Sequence, residues 1–411
     1  MKTGEFIRKY NISKDAVRHY INIGLLIPDG CNTKYNFTER ECRDIEIILK
    51  MKNQRFSLQQ IHRFLDIVRV SNMTEPESNE AVLEIFHNKK NELEQEIKDI
   101  RQICSSLQSD IEKFSPDVGT FEVTGVPINA LRLFACPFCG DSLRLENASL
   151  NSKYILNANL ECSCGYKAKI GDGILRTGNM YTAPYDKPDL MRGLYRDVSE
   201  NFVSYMQKCA DNLLEELKKR DLKNRVVLEG HINGYFFLYN NLKRLEKNCV
   251  YIITDKYPEM LEMYKRNIDR MNLGLDILYI ADAKMELPLM AESVDILISF
   301  MADNEHSLYF KNSYVHDIKK YLKNDALIAG ARLGYKREAK SLEKLAVKYP
   351  EGDISGFSYD DADEIYRKEG YEQKCYTVGK FDKSTKKYSF TAHIDGEQLA
   401  ISSFRAENNM C

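Results

Sequence analysis

The sequence predicts a multidomain protein: an all-α winged helix-turn-helix head, a long coiled-coil helix, a small cysteine-rich ribbon and a C-terminal α/β domain. Three observations carry this. Helix-capping signals recur through the first 70 residues, with little β character between them. Apolar residues then repeat on an alternating 3/4 spacing over roughly five heptads. Beyond Asp189, β-rich runs alternate with helical stretches, the pattern of a mostly parallel sheet. The expected boundaries are 1–72 for the head, 73–115 for the coiled coil, 116–178 for a linker and the ribbon, and 179–411 for the α/β domain.

At 411 residues the chain is too long for one ordinary core, since domains run ~100–200 residues. Hydrophobic residues at 43% and charged residues at 29% exclude a largely disordered chain. No run approaches the ~18–20 apolar residues of a membrane span, and MKTGEFIRKYNISKD lacks the apolar core of a signal peptide. A cytoplasmic protein with no membrane partner is therefore expected. Eleven cysteines in such a chain point to metal ligands or buried thiols rather than disulfides. The net charge of −2 hides an asymmetry: residues 1–70 carry 13 basic and 8 acidic side chains, residues 71–115 carry 5 and 10. A basic head on an otherwise acidic chain suits a polyanionic partner.

In the head, Thr3 precedes a short helix, Ser13 can cap a second (KDAVRHYINIGLL), and Pro28-Asp29-Gly30 opens a loop ending at Tyr35. Thr38 with Glu41 forms a capping box for a third helix, and Ser57 caps a fourth. A recognition helix needs basic and hydrogen-bonding residues near its start, with phosphate contacts to fix its register. Ser13, Lys14, Arg18 and Tyr20 supply these types, and Lys34 and Tyr35 could reach phosphates from the loop. On spacing alone, a small helical bundle with Arg18 on a solvated face remains an equal alternative.

The run ISKDAVRHYINIGLLIPDG, followed by YNFTERECRDIEIILKMKNQRFSLQQIHRFL, resembles the DNA-binding domain of the MerR family of bacterial transcription regulators over residues 3–70. The resemblance includes Arg18-x-Tyr20, Gly24-Leu25-Leu26, Tyr35-x-Phe37 and the Phe56-Ser57-Leu58-x-x-Ile61 start of the last helix. Cys31, Asn32, Thr33 and Asn36 depart from the arginines common in that family's wing, which points to altered wing affinity or operator choice. The resemblance implies binding to double-stranded promoter DNA as a homodimer, with RNA polymerase as a further partner.

From about Asn79 to Phe114 the seam is Leu83, Phe86, Leu93, Ile97, Ile100, Cys104, Leu107, Ile111 and Phe114, with Lys90 the polar intruder. A helix this long must bury its seam. Dimerisation is preferred here over packing on its own domain.

Cys136-Pro-Phe-Cys139-Gly and Cys162-Ser-Cys164-Gly place four soft ligands in two knuckles, the donor set of tetrahedral zinc; four buried thiols are the alternative. The segment after them, with Ile170, Asp172, Gly173 and Ile174, resembles the zinc ribbon that precedes many methyltransferase domains. Four sulfur ligands leave no open position, so the zinc would be structural.

Strands are expected at 225–228, 250–254, 277–280, 294–299 and 326–332, helices at 257–271, 309–322 and 359–369, and two closing strands near 372–378 and 388–395. Residues 190–404 resemble a class I S-adenosylmethionine-dependent methyltransferase, a Rossmann-like fold. The resemblance assigns Glu229, Gly230 and Gly234 to the glycine loop, Asp255 to the ribose and Asp282 to the adenine of S-adenosylmethionine. The glycine loop is one residue short, with Ile232 where backbone should meet the cofactor, and Tyr235, Phe236 and Tyr257 nearby could stack on a different ligand. Asp303 and His306 follow the fourth strand, without the motif of amino-methylating enzymes.

The preferred reading is a dimeric transcription regulator whose methyltransferase-like domain senses a small-molecule effector. The alternative is an active methyltransferase of a small molecule or drug that controls its own gene. An architectural DNA-bridging dimer has least support.

Overall fold

The computed structural model describes residues 1–30, 34–71, 76–114, 123–181, 187–191, 200–382 and 392–408. The wing residues Cys31, Asn32 and Thr33, and the expected boundaries at 72–73 and 115–116, lie outside the described residues. The chain divides into two compact units, Met1–Asp117 and Val118–Cys411.

The first unit contains α1 (Thr3–Tyr10), α2 (Lys14–Asn22), α3 (Glu39–Asn53), α4 (Leu58–Val70) and α5 (Pro76–Phe114). Helix starts are fixed by side chains: Ser13 Oγ accepts from the Ala16 amide, and Thr38–Glu41 and Ser57–Gln60 close capping boxes. Each such cap contributes ~1 kcal/mol. Phe6, Val17, Leu25, Ile45, Ile61 and Leu65 form the core. Arg69 on α4 reaches under it, donating to the carbonyls of Gly24 and Leu25 and to Asp44 Oδ2 at 2.8 Å, which fixes α4 against the turn after α2. The start of α5 packs on the same core through Val82, Ile85 and Phe86, the last set edge-on to Phe56 and Phe64. Further along, Ile97, Ile100, Leu107 and Ile111 are about half exposed or more (49–59%).

The second unit begins with β1 (Val126–Pro127), β2 (Arg144–Leu150), β3 (Tyr154–Glu161), β4 (Lys167–Gly171) and β5 (Ile174–Arg176). After α6 (Glu200–Lys218) come β6 (Val226–Gly230), α7 (Phe237–Asn241), β7 (Val250–Asp255), α8 (Pro258–Met271) and β8 (Asp276–Ala281). Then follow β9 (Val294–Phe300), α9 (Ala302–Ser307), α10 (Tyr314–Ile318), β10 (Leu322–Gly334), α11 (Lys340–Lys348) and α12 (Tyr359–Lys368). The last strands are β11 (Tyr371–Phe381) and β12 (Leu399–Asn408).

One sheet runs β1-β3-β4-β5-β8-β7-β6-β9-β10-β12-β11, with β2 on β3. From β5 to β10 the pairs are parallel, and β12 lies antiparallel between β10 and β11. Every residue of β6, β7 and β9 is buried, as befits strands covered on both faces. This is a doubly wound, Rossmann-like sheet. The ribbon strands are its continuation: Asp172 and Gly173, both at positive φ, make the two-residue turn from β4 into β5, and β5 pairs with β8.

Two expectations fail locally. The helix expected at 309–322 is instead a non-helical stretch to Ser313, then α10 and a 3-10 turn, because Ser313 starts a new helix by accepting from the His316 amide; Leu322 already belongs to β10. The final strand is Leu399–Asn408 rather than 388–395; Gly396 at φ +94 turns the chain there, and 388–391 lie outside the described residues.

Candidate functional site

Lys14 and Arg18 are exposed, four residues apart on one face of α2, and Lys34 is exposed beyond the loop. Ser13 spends its hydroxyl on the helix cap. Tyr20 lies elsewhere: its ring is buried in the core, and its hydroxyl accepts from Lys52 Nζ at 3.1 Å. Tyr35 is half-buried.

The second unit gathers Cys136, Cys139, Cys162 and Cys164 so that all four sulfurs lie within 4.8 Å of one another. Cys136–Cys164 and Cys139–Cys162 each stand 3.4 Å apart, close to the ~3.8 Å that tetrahedral bonds of about 2.3 Å would set. Gly140 and Gly165, at φ +79 and +95, turn each knuckle, which a side chain would strain. The Cys164 amide bonds the Cys162 sulfur and draws that thiol down to about 7. The set fits a closed four-sulfur metal site.

At the carboxyl ends of the parallel strands the chain reverses its winding between β6 and β9, the position of the crevice in open α/β sheets. The expected acidic residues do meet here, but each is closed by the protein itself. Glu229 accepts the amides of Phe237 and Leu238 at 2.7 and 2.8 Å and so caps α7; burial pushes its carboxyl up to about 8. Asp255 Oδ2 accepts the Asn233 amide at 2.8 Å and Oδ1 the Tyr257 amide at 2.9 Å, and burial raises it to about 7. Asp282 takes Thr177 Oγ1, Asn179 Nδ2 and the amides of Lys284 and Glu286.

Around them, Ile232 is fully buried in the hydrophobic core rather than facing a ligand. Gly230 has Tyr314 and Thr254 against it, whereas a Cβ on Gly234 would meet nothing within 4 Å among the described residues. The expected stacking residues already have internal partners: Tyr235 on Phe300, Phe236 edge-on to Tyr264, and Tyr257 edge-on to Tyr181. Lys256, 2% exposed, crosses the crevice from the end of β7 to Glu305 on α9 at 2.8 Å and lies over the Tyr309 ring. Asp303 is buried, takes the Tyr366 hydroxyl at 2.9 Å, and its carboxyl is raised by burial. Among the described residues, no helix is long and apolar enough to cross a membrane.

Residues 1–66 match the model of the MerR HTH family regulatory protein. The amino-terminal unit carries a MerR-type helix-turn-helix domain. No curated protein matches the chain. Several solved structures are similar. One is a Haemonchus contortus phosphoethanolamine N-methyltransferase complex, at 12% identity and a TM-score of 0.38, covering 55% of this chain and 60% of that one. This chain thus spans less than two thirds of that enzyme. Another is a Streptomyces coelicolor geranyl diphosphate C-methyltransferase, at 10% identity and a TM-score of 0.38, covering 56% and 91%. A third is an Aquifex aeolicus SAM-dependent methyltransferase, at 15% and 0.31, covering 49% and 97%.

Outside the MerR-type domain, sequence reasoning missed the partners that close the crevice. Thr177, Asn179, Lys256, Glu305 and Asp317 carry no local motif. The only signal for His231 was its place in the irregular glycine loop.

Proposed function

We propose that the chain is a dimeric transcription regulator that binds double-stranded promoter DNA through its MerR-type domain and senses a small molecule through its α/β domain. The match over residues 1–66, with Lys14 and Arg18 exposed on α2, carries the first part. The outward apolar positions Ile97, Ile100, Leu107 and Ile111 on α5 support pairing through that helix, with a second copy covering them. Zinc held by the four cysteines would be structural, since four sulfurs fill a tetrahedral shell. Sensing is preferred over methyl transfer because both oxygens of Asp255 already accept amides and the short loop folds onto them, where a nucleoside would need that carboxylate.

Footprinting of the full chain on its own promoter region tests the DNA reading. Arg18→Ala should weaken binding by roughly ten-fold at moderate salt, through loss of a charge-assisted phosphate or base contact; unchanged affinity would reject the assignment of α2. Calorimetric titration of S-adenosylmethionine into the full chain tests the second part. Micromolar affinity with methyl transfer to an acceptor from cell extract would establish the enzyme reading instead.

A further inference from the structure

Three polar atoms near the carboxyl end of β6 are buried without a hydrogen-bond partner among the described residues: His231 Nδ1, Thr254 Oγ1 and Tyr314 Oη. They lie close together. A Cβ placed on Gly230 would come within 3.0 Å of both hydroxyl oxygens, and the rings of His231 and Tyr314 are 5.1 Å apart. None of them takes part in closing Glu229, Asp255 or Asp282. Buried polar groups in folded proteins are nearly always bonded, so three unmet atoms in one place mark a polar occupant.

The orientation of the His231 ring identifies what that occupant must bring. His231 Nε2 lies 3.0 Å from His306 Nδ1, and His306 Nε2 lies 3.1 Å from Asp317 Oδ2. Burial works against the Asp317 carboxylate, but hydrogen bonds from His306 and Asn312 hold it below the usual carboxylate range. An ionised carboxylate only accepts, so His306 carries its proton on Nε2. If that is the only proton on His306, its Nδ1 accepts from His231 Nε2–H, and His231 Nδ1 is left as a bare lone pair. Burial, the largest cause, drives His231 well below the ordinary imidazole range, which favours its neutral form.

We propose that His231 Nδ1 is the fixed acceptor for a protic group, a hydroxyl or an amine N–H, on the small molecule that enters this crevice. His306 and Asp317 are positioning residues that hold the tautomer. The Thr254 and Tyr314 hydroxyls complete the site and can each give or take a hydrogen bond. A carboxylate or phosphate is the wrong class: it brings only lone pairs to a lone pair, beside the buried acids Glu229 and Asp255. The assignment rests on the reading that the crevice takes a ligand.

The test uses the full chain with 15N-labelled histidine, whose seven rings can be sorted by tautomer in long-range nitrogen–proton spectra. At pH 7 both His231 and His306 should be Nε2–H tautomers, and Asp317→Asn should leave His306 without a single tautomer. A proton on His231 Nδ1, or an imidazolium at His306, overturns the proposal. Phenol, benzylamine and benzoate at millimolar concentration are the probes. The first two should shift the His231 Nδ1 resonance and benzoate should not, and His231→Phe should weaken phenol binding about ten-fold. Probes that perturb Lys256 and Tyr257 but leave His231 Nδ1 unmoved overturn the assignment and leave the sensing reading intact. If none of the three binds, the sensing reading fails, and the assignment with it.

Discussion

Gly230→Ala should destabilise the second unit, and the reason is space rather than backbone. An alanine Cβ would stand 2.9 Å from Thr254 Oγ1 and closer still to Tyr314 Oη, where roughly 3.5 Å is comfortable. Thr254 and Tyr314 are 0% and 1% exposed, so neither can retreat into solvent. Overpacking of this kind costs about 1–3 kcal/mol. At roughly 2–4 °C per kcal/mol for a unit of this size, the melting temperature should fall by about 2–12 °C. Tyr314→Phe removes the nearer obstacle and an oxygen that has no partner among the described residues, so alone it should be close to neutral. The double variant should recover about 1 kcal/mol or more of the Gly230→Ala loss. Thermal and urea unfolding of the full chain, followed by tyrosine emission since the sequence has no tryptophan, measures all three. Equal losses in the single and double variants would place the cost somewhere other than the Tyr314 hydroxyl and refute the reasoning.

Three further outcomes are expected. Metal analysis of protein prepared without chelators should find one zinc per chain, and Cys136→Ser or Cys164→Ser should release it and loosen the second unit while the MerR-type domain stays folded; metal-free protein would reject the zinc assignment. Ile100→Glu with Leu107→Glu should turn the proposed dimer into a monomer in sedimentation, and a dimer that persists would move the interface off α5. Glu229 and Asp255 have folded values of about 8 and 7, above their unfolded ones, so the folded state holds their protons more tightly. Their protonation thus favours folding, and stability should fall as pH rises from 6.5 to 9, by about 2 kcal/mol through Glu229 and about 1 kcal/mol through Asp255. Below about pH 6.5 the depressed His231 offsets about half of the further gain, because the unfolded imidazole takes a proton that the folded one refuses. A flat profile between pH 6.5 and 9 would contradict the burial of the two acids.

What the sequence disclosed was what is encoded locally. Ser13, Thr38 and Ser57 cap helices through neighbours two or three residues away, and each of these caps stands in the structure. The parallel strands announced themselves as continuous apolar runs, because both of their faces are covered. The four cysteines were legible because knuckle turns require their glycines at fixed offsets. The state of the crevice was not legible. Asp255 is closed by Asn233, 22 residues earlier, and His231 meets His306 across 75 residues, so only tertiary packing brings these groups together. Tyr20 fitted the residue types of a recognition face while its own ring filled the core beneath it. Helix periodicity ran through 309–322 because the apolar spacing continues across the Ser313 cap that restarts the helix.

The shared sheet has a consequence for synthesis. The ribbon's last strand is complete at Arg176, yet its partner residues Tyr279, Ile280 and Ala281 are about a hundred residues further along the chain. At roughly 5–20 residues per second, a ribosome delivers that partner some 5–20 seconds after the ribbon has emerged. During that interval β5 presents an open edge bearing Ile174 and Leu175, both buried in the finished protein. Early metal capture would hold the ribbon in register while the nascent chain waits. Cells starved of zinc should therefore lose this protein to aggregation during translation, before any folded copy has had metal to give up.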